Sequence, residues 1–142
     1  MTKAESIAQA FIAALTSPEM TSVPAANVYR DYTSALDAGV SPAIVVDMGD
    51  ETPPDGTTGF RSRTLTMRVM VLTKGANPKS LADPVLIEAH GRIMADSTLA
   101  GLVLDVRESA TTRRADRLEK PVAYVTKEYD VDYRTTGDSL EE

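Results

Sequence analysis

The sequence predicts an α+β domain, a two-layer sandwich in which two helices pack on one face of a mainly antiparallel sheet of four or slightly more strands. Three observations predict it. Two segments carry apolar residues at helical spacing. Several others alternate apolar and polar residues, which gives a sheet one oily face and one wet face. The element order, helix, strand, strand, helix, strand, strand, leaves too few helices to cover both faces.

The first helix starts at the N-terminus. Thr2 and Glu5 have capping-box spacing, so each side chain satisfies an orphan amide of the first turn. Ile7, Phe11 and Leu15, flanked by Ala4, Ala8 and Ile12, form one apolar stripe. Ser17-Pro18 ends it, because the residue before proline is pushed out of the helical region. Residues 27–30 read as a short strand and 31–36 as a helical turn, with Gly39 and Pro42 punctuating the connection. Residues 43–48, AIVVDM, are nearly all apolar and rich in branched side chains, as in a buried strand. Residues 49–60, GDETPPDGTTGF, read as a flexible loop by every local rule.

From 61 to 73 the alternation is clear. Leu65, Met67, Val69 and Val71 share one parity, and Thr64, Thr66 and Arg68 the other. Asp83-Pro84 reads as an N-cap with proline at the first helical position, opening a second helix with Val85, Leu86, Ala89 and Ile93 on its apolar face and ending near Asp96. A strand is then expected in which Leu102, Leu104 and Val106 point one way and Asp105, Arg107 and Ser109 the other. The last strand sets Ala123, Val125, Tyr129, Val131 and Tyr133 against Thr126, Glu128, Asp130, Asp132 and Arg134, with Lys127 interrupting the apolar side. Between these two strands, TTRRADRLEK reads as a charged hairpin loop. Residues 137–142 read as a frayed tail.

Composition narrows the function. The chain has 142 residues, enough for one domain over 1–142, and no cysteine, which excludes disulfide scaffolds, Cys-based zinc sites and thiol catalysis. Fifteen basic and 21 acidic side chains give a net charge of -6, a poor match to phosphate-driven nucleic-acid binding. The two halves carry 5 basic and 8 acidic, and 10 basic and 13 acidic, residues, so neither is a charged tail. No apolar run approaches the length of a membrane span, and the first residues are too polar for a signal peptide's apolar core. A soluble domain is expected.

No catalytic signature emerges: there is no P-loop, GxGxxG, GxSxG or HExxH. His90 is the only histidine, and neither Glu88 nor Asp96 lies at i±3 or i±4 from it, so it reads as a boundary residue rather than a general base. Glu128, Asp130 and Asp132 form an acidic row suited in type to a hard cation, but the row is linear rather than enclosing. It reads as a solvated face balanced by Arg68 and Arg107 of neighbouring strands. Arg113, Arg114, Arg117 and Lys120 are interleaved with Asp116 and Glu119, with no aromatic companions. Neither an enzyme nor a metal or cofactor site is expected. Regular charges of both signs along one strand face suit docking of complementary subunits.

The run AIVVDMGDETP, the strand TLTMRVMVL, the helix DPVLIEAHGRIMAD leading into STLAGLVLDVRES, and the closing VAYVTKEYDVDYRTTGDSLEE resemble the tail terminator family of long-tailed bacteriophages, the minor tail protein U-like or tail completion proteins. The most specific piece holds Ile87, His90, Asp96, Thr98, Leu99, Gly101 and Leu102; the family often has a second glycine where Ala100 stands here. The resemblance covers about 100 residues. It implies a structural virion protein, assembled in the host cytoplasm, that caps the tail tube as a hexameric ring, stops tube growth and forms the surface on which the head docks. The implied partners are its own copies, the major tail tube protein and a head–tail connector or neck protein. DNA only passes through an acidic lumen, and no membrane is involved. On this reading Arg68, Arg107, Arg113, Arg114, Arg117, Glu128, Asp130 and Asp132 belong to the subunit interface, and Asp50, Glu51 and Asp55 to the tube contact or lumen. A neck completion protein is the neighbouring reading, and a small enzyme or ligand-binding domain using His90 the one from another class.

Overall fold

A computed structural model describes residues 1–52, 59–117, 121–136 and 139–141. The elements run α1 (Lys3–Thr16), a short 3-10 turn (Ala25–Asn27), β1 (Val28–Tyr29), α2 (Tyr32–Ala38), β2 (Ala43–Glu51), β3 (Phe60–Lys74), α3 (Pro78–Met94), β4 (Asp105–Arg117) and β5 (Pro121–Thr136). The five strands form one mixed sheet in the order β1-β2-β3-β5-β4, in which only the short β1–β2 pair is parallel. The fold is the expected α+β sandwich.

The core lies between the sheet and the helices α1 and α3. Ile7, Ala8, Phe11 and Leu15 of α1, with Ala82, Val85, Ala89 and Ile93 of α3, pack on Leu65, Met67, Val69 and Val71 of β3 and on Val125, Tyr129, Val131 and Tyr133 of β5. These are the apolar parities of both strands, so alternation decides which face is buried. Phe11 meets the Tyr129 ring edge-on, with centroids 5.9 Å apart. Removing Phe11 to Cβ empties the middle of this contact, a loss on the order of 3–5 kcal/mol.

Where the chain departs from the sequence reading, a physical cause is visible. The opposite sheet face is not wholly bare: α2 covers its β1–β2 corner, burying Ala35 against Ala43, Val45 and Leu72. Met70, Tyr29 and Tyr124 pack against the same cluster, so this corner of the face is apolar and needs a cover. Asp31 caps α2 by accepting from the Thr33 amide, and Gly39 ends it at φ 63°. α3 begins at Pro78 rather than Pro84, which sits inside the helix. Both prolines follow a residue of capping type, but the earlier start brings Ala82 into the buried stripe with Val85, Ala89 and Ile93. β2 extends through Gly49 to Glu51, and Phe60 already belongs to β3, so both ends of the expected 49–60 loop are strand; its residues 53–58 lie outside the described ones. Ser139 and Leu140 are tied down, the Leu140 carbonyl accepting from the Lys3 amide at 2.7 Å.

Residues 97–104 are turn rather than strand, and Leu104 is exposed. Leu99, Ala100 and Gly101 have φ of 48°, 59° and 86°, and the Leu102 amide returns to the Leu99 carbonyl at 3.3 Å. Two central residues with positive φ define a type I′ turn, whose first central position here is Ala100. The Asp96 carboxylate holds this loop through the Thr98 and Ala100 amides.

α3 also anchors the segment after α1. The Glu88 carboxylate accepts from the Ser22 hydroxyl (2.6 Å) and amide and from the Thr21 amide and hydroxyl. One turn later Arg92 donates to the carbonyls of Pro18 and Glu19. The Ser22 hydroxyl, then the backbone, hold the Glu88 carboxyl at about 2, well below its ordinary 4.5. A carboxyl depressed by folding lends stability that is complete above its unfolded value and fades as pH falls toward its folded one. The fold should therefore lose stability between pH 4.5 and about 2, and Glu88→Gln should flatten that decline in thermal melts followed by circular dichroism. Ala100→Gly relieves a left-handed Ala and should raise stability by about 0.5–1 kcal/mol in denaturant titration.

Candidate functional site

The residues expected to dock are set by the pairing of β3 with β5. That register places Arg68 opposite Glu128, Thr66 opposite Asp130 and Thr64 opposite Asp132. On the far side β4 brings Arg107 opposite Asp130 and Asp105 opposite Asp132. Cross-strand neighbours on one face lie about 5 Å apart, close enough for direct bonds.

The bonds form. Arg68 Nε donates to Glu128 Oε1 at 3.1 Å, Thr66 Oγ1 to Asp130 Oδ1 at 3.1 Å and Thr64 Oγ1 to Asp132 Oδ1 at 2.7 Å. Arg107 closes the row by pairing with Asp132 and standing 3.7 Å from Asp105. The Arg107 guanidinium, then the Thr64 hydroxyl, hold the Asp132 carboxyl below its ordinary value, and Asp132 in turn raises Arg107. Gly49 packs closely beside this row: a Cβ there would stand 3.0 Å from the Arg68 guanidinium carbon and 3.2 Å from the Thr66 carbonyl oxygen. The acidic row is half-buried, and its lone pairs are engaged by arginines and threonines of the adjacent strands.

Next to α2 the face sinks into an open hollow of about 410 Å³ bordered by Tyr32, Tyr124, Met70, Arg68, Arg114 and Asp116. Arg114 stands here because a bulge between Glu108 and Ala110 shifts β4 by one residue. Before the bulge the odd residues Asp105 and Arg107 share the polar face; after it the even residues Thr112 and Arg114 do. Arg113 therefore projects from the opposite side of β4. The expected interface set is thus split: Arg68, Arg107, Arg114, Glu128, Asp130 and Asp132 share one face, and Arg113 does not. The expected hairpin loop is strand for residues 111–117; Arg117 falls in β4, with its side chain outside the described residues, as is Lys120.

The acidic stretch is divided as well. Asp50 is exposed on β2, whereas the Glu51 carboxylate accepts the Tyr133 hydroxyl at the end of the core. Asp55 lies outside the described residues.

One arrangement escaped the sequence. His90 Nε2 lies 2.6 Å from Glu108 Oε1, and Nδ1 lies 2.8 Å from the Tyr129 hydroxyl. A carboxylate only accepts, so Nε2 donates to Glu108, and in the neutral ring Nδ1 accepts from the Tyr129 hydroxyl. Lys127 Nζ stands 3.5 Å from the other Glu108 oxygen. The tyrosine is 1% exposed, and burial, then Glu108, drive its hydroxyl well above the ordinary tyrosine value. The orienting carboxylate comes from the bulge of β4, far from His90 in sequence, and helix spacing holds no sign of it. A buried tyrosine hydroxyl that needs a partner was the available clue.

The chain matches no protein-family model and no curated protein.

Exposed ion pairs contribute about 0.2–1 kcal/mol each, far less than a core aromatic. Arg107→Ala should therefore cost the isolated chain about 1 kcal/mol or less, whereas Phe11→Ala should cost several times that. Paired urea titrations measure both.

Proposed function

We propose that this chain is a ring-forming structural subunit of a phage tail, ending growth of the tail tube and offering the surface on which the head docks. The observation that supports it best is the polar face of β3, β5 and β4, whose acidic row is bonded by Arg68, Arg107, Thr64 and Thr66 and which, among the described residues, α2 covers only at its β2 corner. A face ordered in this way is already rigid before a partner arrives, so docking on it orders few side chains. The resemblance in residues 43–142 supplies the kind of partner: copies of the chain, tube protein on one side and a connector or neck protein on the other.

An enzyme reading draws on His90, held between a carboxylate and a tyrosine hydroxyl. It is the weaker one, because the tyrosine whose hydroxyl His90 would activate is 1% exposed, its ring packed edge-on against Phe11 in the core. The structural reading assigns the His90 cluster to fastening α3 to the sheet.

The test is tube length. Tube protein polymerising in the presence of this chain should give short tubes with a ring at one end by negative-stain microscopy, and the length should fall as the chain is added. Tubes of unchanged length, with no density at their ends, would contradict the proposal. His90→Gln should leave capping intact and cost only stability.

A further inference from the structure

We infer that copies of this chain join edge to edge, the outer edge of β4 in one copy adding to the outer edge of β2 in the next. The inference rests on the ring-forming reading and names the contact within it.

Both edges are open. β4 is the last strand of the sheet, 13 residues long, and among the described residues its only strand partner is β5. At the other side β1 pairs with Ile44 and Val45 alone. Among the described residues no strand lies outside β2 from residue 46 to Glu51; there the Val46 carbonyl accepts from Arg30 and the Met48 amide donates to the Asp47 carboxylate. Open strand edges present unpaired N–H and C=O groups to any strand that fits, and proteins restrict them with proline, charged side chains or bulges. Neither β2 nor β4 contains proline; both are charged and each carries a register shift, so their charges select which strand can add.

The two edges are opposite in charge. β2 carries Asp47, Asp50 and Glu51 and no base. β4 carries four arginines against three acids. Some of these charges are already engaged: Asp47 stands 3.8 Å from Arg30, Glu51 accepts the Tyr133 hydroxyl, and Arg107 pairs with Asp132. Arg113 and Arg114 are exposed and, among the described residues, no ion pair engages either one; Asp50 is exposed on the same terms. Opposite charges on two edges draw unlike edges together and keep like edges apart.

Strand direction agrees. β2 is antiparallel to β3, β3 to β5 and β5 to β4, so β2 and β4 run in opposite directions. Copies set side by side in the same orientation bring β4 against the neighbour's β2 as an antiparallel pair, the more stable arrangement per residue. Because the two edges differ, the contact is heterologous: it closes into a ring when the rotation between copies fits, and grows into a filament when it does not.

The absence of cysteine makes a direct test available. Single-cysteine chains are made at β4 (Ala110→Cys, Thr112→Cys, Arg114→Cys) and at β2 (Asp47→Cys, Asp50→Cys), concentrated and oxidised. A β4 variant mixed with a β2 variant should give a disulfide-linked dimer for at least one pair, and neither variant should do so alone. Chains carrying both cysteines should give a ladder ending at the ring size. Cross-links formed by a β4 variant alone, or none in any mixture, would overturn the inference. Charge reversal supplies a second readout. Arg113→Glu with Arg114→Glu, and Asp47→Lys with Asp50→Lys, should each weaken self-association about tenfold or more by analytical ultracentrifugation, and the combined chain should recover it. Failure to recover would also overturn it, once circular dichroism shows each variant folded. Capping of tubes without β4–β2 cross-links would sink the edge contact and leave the tail reading standing. Cross-links with no effect on tube length would do the reverse.

Discussion

The pairing of β3 with β5 is the constraint on which the rest of the molecule depends. These strands run antiparallel over fifteen matched positions, from Phe60 opposite Thr136 to Lys74 opposite Val122. Once that register is set, parity sorts every side chain of both strands. Leu65, Met67, Val69 and Val71 join Tyr129, Val131 and Tyr133 under α1 and α3, and Thr64, Thr66 and Arg68 meet Asp132, Asp130 and Glu128 on the other side. A slip of one residue would put acids in the core and valines in water. Burial of the apolar set, at roughly 1.5–3 kcal/mol for each large side chain, far outweighs the surface ion pairs. The hydrophobic face therefore decides the register, and the polar face inherits its order from it.

The bulge in β4 is the second device. One inserted residue between Glu108 and Ala110 divides the strand in two. Ahead of it Glu108 stands opposite Tyr129 and meets His90, fastening α3 to the sheet; behind it Arg114 comes round to the polar face beside Tyr124. Arg113 is left facing the other way. Bulges re-aim side chains at the cost of one unpaired residue, and here the strand so altered is also the exposed edge.

Much of this was legible in the sequence wherever a long periodic pattern met a buried face. The helix with Ile7, Phe11 and Leu15, the alternation of β3 and β5, and the pairing of Arg68 and Arg107 with the acidic row all follow from spacing alone. Short elements were legible where a cap residue marked them, as Asp31 and Gly39 mark α2. What spacing did not hold was the choice between competing signals. Asn77-Pro78 and Asp83-Pro84 are equal as helix starts until Ala82 is seen buried, and Leu102 and Leu104 look like strand until three left-handed residues turn the chain ahead of them. The Glu108–His90–Tyr129 chain was invisible because it joins α3 to residues of β4 and β5 that helix spacing does not reach, and the separation of Arg113 from Arg114 was invisible because a one-residue bulge leaves no periodic trace.

The proposed assembly turns on one contact, in which the sheet of one copy would continue into the next through two edges of opposite charge. Hydrogen exchange measured by mass spectrometry across a range of protein concentrations reads this at the backbone itself. The account predicts that amides of residues 105–116 and 46–51 slow together as concentration rises, because strand pairing between copies ties up N–H groups that otherwise face water, while the amides shared between β3 and β5 stay protected throughout. Exchange at both edges that does not change with concentration, in samples where the chain has assembled, would contradict it.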